Sequence, residues 1–109
     1  MEMERTEIKP GRDQELLSGL IRIHLLYHAC HEPIFGLGMI EELQRHGYKL
    51  SAGTLYPMLH GLERRGLLRS KKARLGRRER RVYRATVAGR RALEMASEKV
   101  KILLGELLE

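Results

Sequence analysis

Tryptophan is absent from this chain, and phenylalanine and cysteine occur once each among its 109 residues. A lone thiol cannot close an intrachain disulfide, and Cys30 stands among apolar residues, where a buried and inert thiol in a reducing cytoplasm is expected. With Phe35 as the one Phe, a large aromatic cage for flat hydrophobic compounds is not evident. Long apolar runs are also missing. The most apolar segment, Leu20 to Cys30, is broken by Arg22, His24 and His28, and the first dozen residues are mostly polar and charged, so neither a membrane span nor an export signal is expected. There is no glycine-rich phosphate loop and no nucleophile paired with a base. The acids fall on surface helical faces that offer no apolar pocket to shift their pKa values, which argues against an enzyme and calls for no cofactor.

Positive charge, by contrast, is abundant and concentrated. The formal net charge is +7, and the segment from Arg69 to Arg84 holds nine Lys or Arg against one acid, Glu79, leaving the rest of the chain close to neutral. A scattered excess would read as solvated surface. Confined to one short stretch, it points to a polyanion, with nucleic acid the leading partner.

A length of 109 residues allows one domain with a single modest core. Residues 1–12 are polar and end near Pro10-Gly11, the pattern of a flexible N-terminal arm. Asp13 can cap a first helix reaching Ala29 or His31, and its apolar residues cover more than one stripe, so it should be contacted on two sides. A second helix is expected from Gly36 to His46, with Leu37, Ile40 and Leu43 inward and Glu41, Glu42, Gln44 and Arg45 outward. After a short turn at Gly47-Tyr48-Lys49, the stretch Leu50 to Leu68 reads as a helix with two different faces. Leu55, Met58, Leu59 and Leu62 form its apolar stripe, Gly53, Pro57, His60 and Arg64 point the opposite way, and Thr54, Tyr56 and Gly61 flank them. Either Ser51 or Thr54 can cap it, and Pro57 is comfortable in the first turn only if the cap is Thr54. Helix, tight turn and helix is the arrangement that places a later helix in the major groove.

Beyond Gly66 the period changes. Leu67 to Arg74 and Arg80 to Ala85 read as two strands joined across Leu75-Gly76-Arg77-Arg78, a hairpin with a basic tip. Thr86 can cap a last helix in which Leu93, Ala96, Val100, Leu103 and Leu107 recur at alternating intervals of three and four, with Leu104 and Leu108 alongside. Such a seam either folds back on its own domain or, as favoured here, pairs with a second copy in a homodimer.

Two motif strings resemble one family. Leu50-Ser51-Ala52-Gly53-Thr54-Leu55-Tyr56-Pro57, continued by Leu59, Leu62, Glu63 and Gly66-Leu67-Leu68, is similar to the S-x-G-T-L-Y-P, L-x-x-L-E and G-L-I pattern of the PadR-like transcriptional regulators. Downstream, Arg81-Val82-Tyr83-Arg84-Ala85-Thr86 and Gly89-Arg90 resemble that family's wing, with Ala85 in place of a leucine, and Phe35-Gly36-Leu37 stands where His-Gly-Tyr is common. The resemblance implies a mainly α fold with a small β-hairpin, divided into the arm (1–12), a winged helix-turn-helix (13–86) and a C-terminal dimerisation helix (87–109). It further implies a dimeric repressor of a palindromic operator on double-stranded DNA, released by a small-molecule effector bound near the dimer interface. Ser51, Gly53, Thr54, Tyr56, Pro57, His60 and Arg64 would then form the reading surface, although Ser51 can equally be only a cap and Tyr56 can be half-buried against the wing. Lys71, Lys72, Arg74, Arg77, Arg78 and Arg80 would supply affinity, with Arg77 and Arg78 placed to reach a minor groove. Two other readings stay open. A sequence-nonspecific DNA- or RNA-binding module would use the same basic hairpin, and a metal-responsive regulator would use His24, His28 and His31, spaced i, i+4 and i+7 with Cys30 and Glu32 nearby, which can otherwise simply pack against the last helix.

Overall fold

Six elements follow one another in a computed structural model that describes residues 13–109: α1 (Gln14–His31), α2 (Gly36–Arg45), α3 (Ala52–Arg64), β1 (Leu68–Leu75), β2 (Arg78–Ala85) and α4 (Val87–Leu107). The arm expected over residues 1–12 lies outside the described residues. Helical spacing builds the core: Ile21, Leu25, Leu26 and Ala29 of α1, Met39 and Leu43 of α2, and Leu55, Met58, Leu59 and Leu62 of α3 are buried together with Ile34, Leu68 and Tyr83.

Helix α2 keeps Leu43 and Ile40 against the core and Glu41, Gln44 and Arg45 outward as expected, but Leu37 departs from its expected place. Gly36, Met39 and Leu43 face inward, whereas Leu37 is 44 % exposed. The cause is Tyr56 of α3, whose ring lies so close to Gly36 that a Cβ there would overlap it. This contact turns Gly36 toward the core and carries Leu37, about 100° further round the helix, toward solvent.

The hairpin is tighter than expected. β1 and β2 pair antiparallel from Leu68↔Ala85 to Leu75↔Arg78, so Gly76 and Arg77 alone make the turn and Arg78 belongs to the strand. Gly76 has φ +67 and Arg77 has no positive φ, the sign pattern of a II′ turn, which matches the twist of paired strands. On the far side of β2, Ile34 and Tyr83 exchange backbone hydrogen bonds of 2.9 and 2.8 Å, so the α1–α2 connection adds a one-residue third strand.

The end of α3, the start of the hairpin and the start of α4 meet at Leu67. Gly66, at φ +79, lets the chain leave the helix while Leu67 N–H returns to the Leu62 carbonyl and Gly66 N–H to that of Glu63, a Schellman cap. The Leu67 carbonyl then accepts Thr86 N–H at 3.1 Å. The Thr86 hydroxyl donates to the Gly66 carbonyl at 2.6 Å and accepts Gly89 N–H at 3.0 Å, capping α4 as expected. Gly89 is buried directly against the Leu67 backbone. From this anchor Ala92 and Leu93 join the core, whereas Leu103 is 51 % and Leu107 72 % exposed, with Val100, Leu104 and Leu108 also exposed. Within one chain, therefore, α4 packs along its first part only.

Gly89→Ala should destabilise the fold by about 2–4 kcal/mol in chemical denaturation, because its methyl group must displace backbone rather than a flexible side chain. Gly19→Ala, at a helical position with open space, should stabilise by about 0.5–1 kcal/mol. Tyr83→Phe should leave stability equal or raised by roughly 1 kcal/mol, since the Tyr83 hydroxyl is buried and makes no hydrogen bond within the described residues.

Candidate nucleic-acid interface

The start of α3 is settled in favour of Ser51. Ser51 occupies the extended N-cap position, and its carbonyl accepts both Thr54 N–H and Leu55 N–H at 3.1 and 3.0 Å. Its side chain does not cap the helix; the hydroxyl lies 3.4 Å from the Thr54 hydroxyl. Pro57 consequently sits inside the helix, not in its first turn. It can give no N–H to the carbonyl of Gly53, one turn earlier, and both residues are exposed, so water can take up the open carbonyl. Ser51, Gly53, Pro57, His60 and Arg64 all lie on the exposed face, while Leu55, Met58, Leu59 and Leu62 hold the opposite face in the core. The first turn thus presents little more than backbone and small side chains, which is what close approach to a groove requires.

Tyr56 and Thr54 are half-buried flanking residues. Tyr56 rests on Gly36 of α2, and its ring centroid stands 6.2 Å from that of His60. Its main contact positions α2 against α3, a role not readable from the motif alone.

The strand register divides the basic residues between two faces. Directly paired residues share a face and successive pairs alternate, so Ser70/Tyr83, Lys72/Arg81 and Arg74/Glu79 lie on the side toward α3, and Arg69/Arg84, Lys71/Val82 and Ala73/Arg80 on the other. On the inner side Glu63 of α3 accepts Ser70 N–H at 3.0 Å and the Ser70 hydroxyl at 2.8 Å, and Arg81 donates to that hydroxyl at 3.0 Å. This chain of bonds pins the hairpin to α3. Arg80, expected as a free wing cation, is instead half-buried with its guanidinium 5.1 Å from the Phe35 ring centroid, a cation–π contact. Lys71, Lys72, Arg74, Arg77 and Arg78 remain exposed, and Arg77 alone of the two expected tip cations is in the turn.

The histidines divide differently from the i, i+4, i+7 pattern. His31 Nδ1–H donates to the Tyr27 carbonyl at 2.8 Å and its ring lies against Tyr27, away from the other two. His24 is instead stacked with His46 of α2 at 5.2 Å between centroids and with His28 at 6.5 Å. Glu42 receives Arg45, lies 3.3 Å from His46 Nε2 and 3.8 Å from His28 Nε2. No group of three His, Cys, Asp or Glu among the described residues is arranged to hold a metal ion. His24, His28, Glu42 and His46 line a groove of about 650 Å³ with Leu20, Leu93 and Val100, between the helical core and α4. These rings therefore meet one another across α1 and α2 and face α4 over the groove. Burial first, then the neighbouring His46 and His28, hold the His24 imidazole below its ordinary value of 6.5, with Glu42 partly opposing them.

Residues 25–95 match the profile of the transcriptional regulator PadR-like family. The chain is 45 % identical over 95 residues to the transcriptional regulator Rv3488 of Mycobacterium tuberculosis, covering 87 % of this chain and 89 % of that one. Among solved structures it is similar to a PadR family transcriptional regulator from Eggerthella lenta, with 35 % identity, 87 % of each chain covered and a TM-score of 0.73. A Streptococcus transcriptional regulator shares the fold at a TM-score of 0.78 and 19 % identity, over 85 % of this chain and 93 % of that one.

The lowered His24 value gives a signed expectation. The unfolded chain binds this proton more readily than the folded one, so unfolding free energy should fall as pH is lowered from about 7.5 through 6.5, and continue falling until the folded form also takes the proton. In pH-resolved denaturation His24→Asn should flatten that acid-side decline; an unchanged slope would remove His24 as its source.

Proposed function

The chain belongs to the PadR-like family of transcriptional regulators, DNA-binding proteins and not enzymes, and from that premise we propose that it is a homodimeric cytoplasmic repressor that reads an inverted-repeat operator. The observation that carries this reading is the division of α3: four buried apolar residues hold a helix whose exposed face runs from Ser51 and Gly53 through Pro57 to His60 and Arg64, beside a hairpin rich in free cations. The N-terminal turn of α3 enters the major groove, where small side chains allow close approach and His60 reads base edges. Lys71, Lys72, Arg74 and Arg78 engage phosphates, and Arg77 in the turn reaches toward the minor groove.

Dimerisation is supported by the apolar face that α4 leaves exposed. Ala96, Val100, Leu103, Leu104 and Leu107 continue the stripe that Leu93 begins within the core. A second copy of α4 laid along it removes this surface from water at roughly 25 cal/mol per Å². Two reading helices then lie about 34 Å apart, one turn of duplex. An effector that favours another spacing of the two heads releases the operator, because a ligand shifts an equilibrium only by its difference in affinity for the two states.

Anisotropy titrations at fixed salt, using an inverted-repeat site selected from a random pool, a scrambled duplex and an RNA duplex, test this reading. The selected site should bind best by at least about a thousandfold. Equal affinity for all three would favour a nonspecific coating module. His60→Ala should chiefly narrow the gap between selected and scrambled duplex, whereas Arg77→Ala should weaken both equally and reduce the salt slope by about 1. Leu103→Asp should give monomers in sedimentation and weak operator binding; a dimer of unchanged strength sinks the α4 interface.

A further inference from the structure

We propose that the hollow at the base of the hairpin, lined by Arg69, Lys71, Arg84, Ala85, Thr86 and Val87, binds a small phosphorylated molecule, and that this molecule is the effector; the second half of the proposal rests on the operator-release reading above. The hollow encloses about 440 Å³, within the usual range for small-molecule sites.

Its charge is the first support. Arg69 and Arg84 are direct cross-strand partners on the outer face, and Lys71 is the next cation along β1 on that face. Like charges set directly opposite each other destabilise a strand pair unless an anion lies between them. Both nearby acids serve the inner face: Glu79 is paired with Arg74, and Glu63 is bonded to Ser70. Among the described residues none of Arg69, Lys71 and Arg84 has an ion-pair partner.

Position is the second. The hollow opens beside the C-terminal end of α3, and the 13 residues of that helix set it about 20 Å from the reading turn at Ser51–Gly53. The DNA surface proposed above draws on Lys71 but on neither Arg69 nor Arg84, which leaves these arginines to another anion. Two guanidiniums suit the oxygens of a phosphate, while Ala85 and Val87 offer an apolar wall to the group that carries it. Thr86 lies in the wall and is also the cap that joins α4 to α3, so an occupant touches the joint between reading head and dimer arm.

The test uses pyrophosphate titrated into the full chain at constant ionic strength, balanced with chloride. Wild type should show a saturable rise in Tm, lost in the double variant Arg69→Gln/Arg84→Gln and kept in Lys72→Gln/Arg74→Gln, which removes equal charge from the inner face. Circular dichroism establishes that both variants fold. Saturating pyrophosphate should weaken operator binding at least about fivefold in wild type and not in Arg69→Gln/Arg84→Gln, which itself should still bind operator. A pyrophosphate effect no larger than that of chloride, or one that survives in Arg69→Gln/Arg84→Gln, overturns the site. So does a double variant whose salt slope on DNA falls while pyrophosphate shows no saturation, since the pair would then belong to the DNA footprint. Saturable binding that leaves operator affinity untouched overturns the effector role, and saturable binding by a chain that binds no selected duplex keeps the site while the repressor reading fails.

Discussion

The backbone of Leu67 is the point on which the arrangement depends. Its N–H closes the Schellman cap of α3, its carbonyl takes the N–H of Thr86, and Gly89 packs against it with no room for a side chain. Three elements, α3, the hairpin and the helix bearing the exposed apolar stripe, are thereby fixed to one another through two adjacent peptide groups. Hydrogen bonds to backbone tolerate little slippage, because every partner here is itself held by a helix cap. The end of α3 and the start of α4 therefore meet in one joint, to which Thr86 contributes bonds on both sides.

A second set of contacts aims the hairpin. Glu63 uses the last turn of α3 to grip Ser70 and, through it, Arg81, while Arg80 lies over Phe35 and Ile34 extends the sheet by one residue. Two of the nine cations between Arg69 and Arg84 are spent on this internal work. The strand register then separates the remainder, with Lys72 and Arg74 on the side of α3, where Glu63 and Glu79 also lie, and Arg69, Lys71 and Arg84 on the outer side without a facing acid in the register. A net charge counted along the sequence treats these cations alike, but their chemistry differs because alternate residues of a strand face opposite ways.

Much of this was legible in one dimension. Burial of Leu55, Met58, Leu59 and Leu62 follows from 3.6-residue periodicity, the end of α3 follows from Gly66, and the cap of α4 follows from Thr86. These are local properties, set within one turn of chain. What escaped involves residues far apart in sequence. Gly36 reads only as the start of a helix and proves to be the seat of Tyr56; Gly89 reads only as part of a motif string and proves to be a required close approach; Leu37 reads as core and is turned outward by the Gly36 contact. His46 was not visible as a companion of His24, since the i, i+4 rule sees one helix and the stack spans two.

The chain by itself determined the kind of element at each place, the apolar stripe of α3, the concentration of positive charge and, through its motif strings, the family. Periodicity, capping chemistry and composition are short-range, so the sequence carries them directly. Tertiary structure decided which cations are free and which are bound inside, where α3 begins relative to Pro57, which way Leu37 faces, and which histidines meet. Those outcomes depend on side chains brought together across the core, where close packing admits one arrangement of each contact. The stretch from Leu50 to Leu68 could be read as a helix from its letters, but its angle to everything else is set only by the contacts of Glu63, Leu67 and Tyr56.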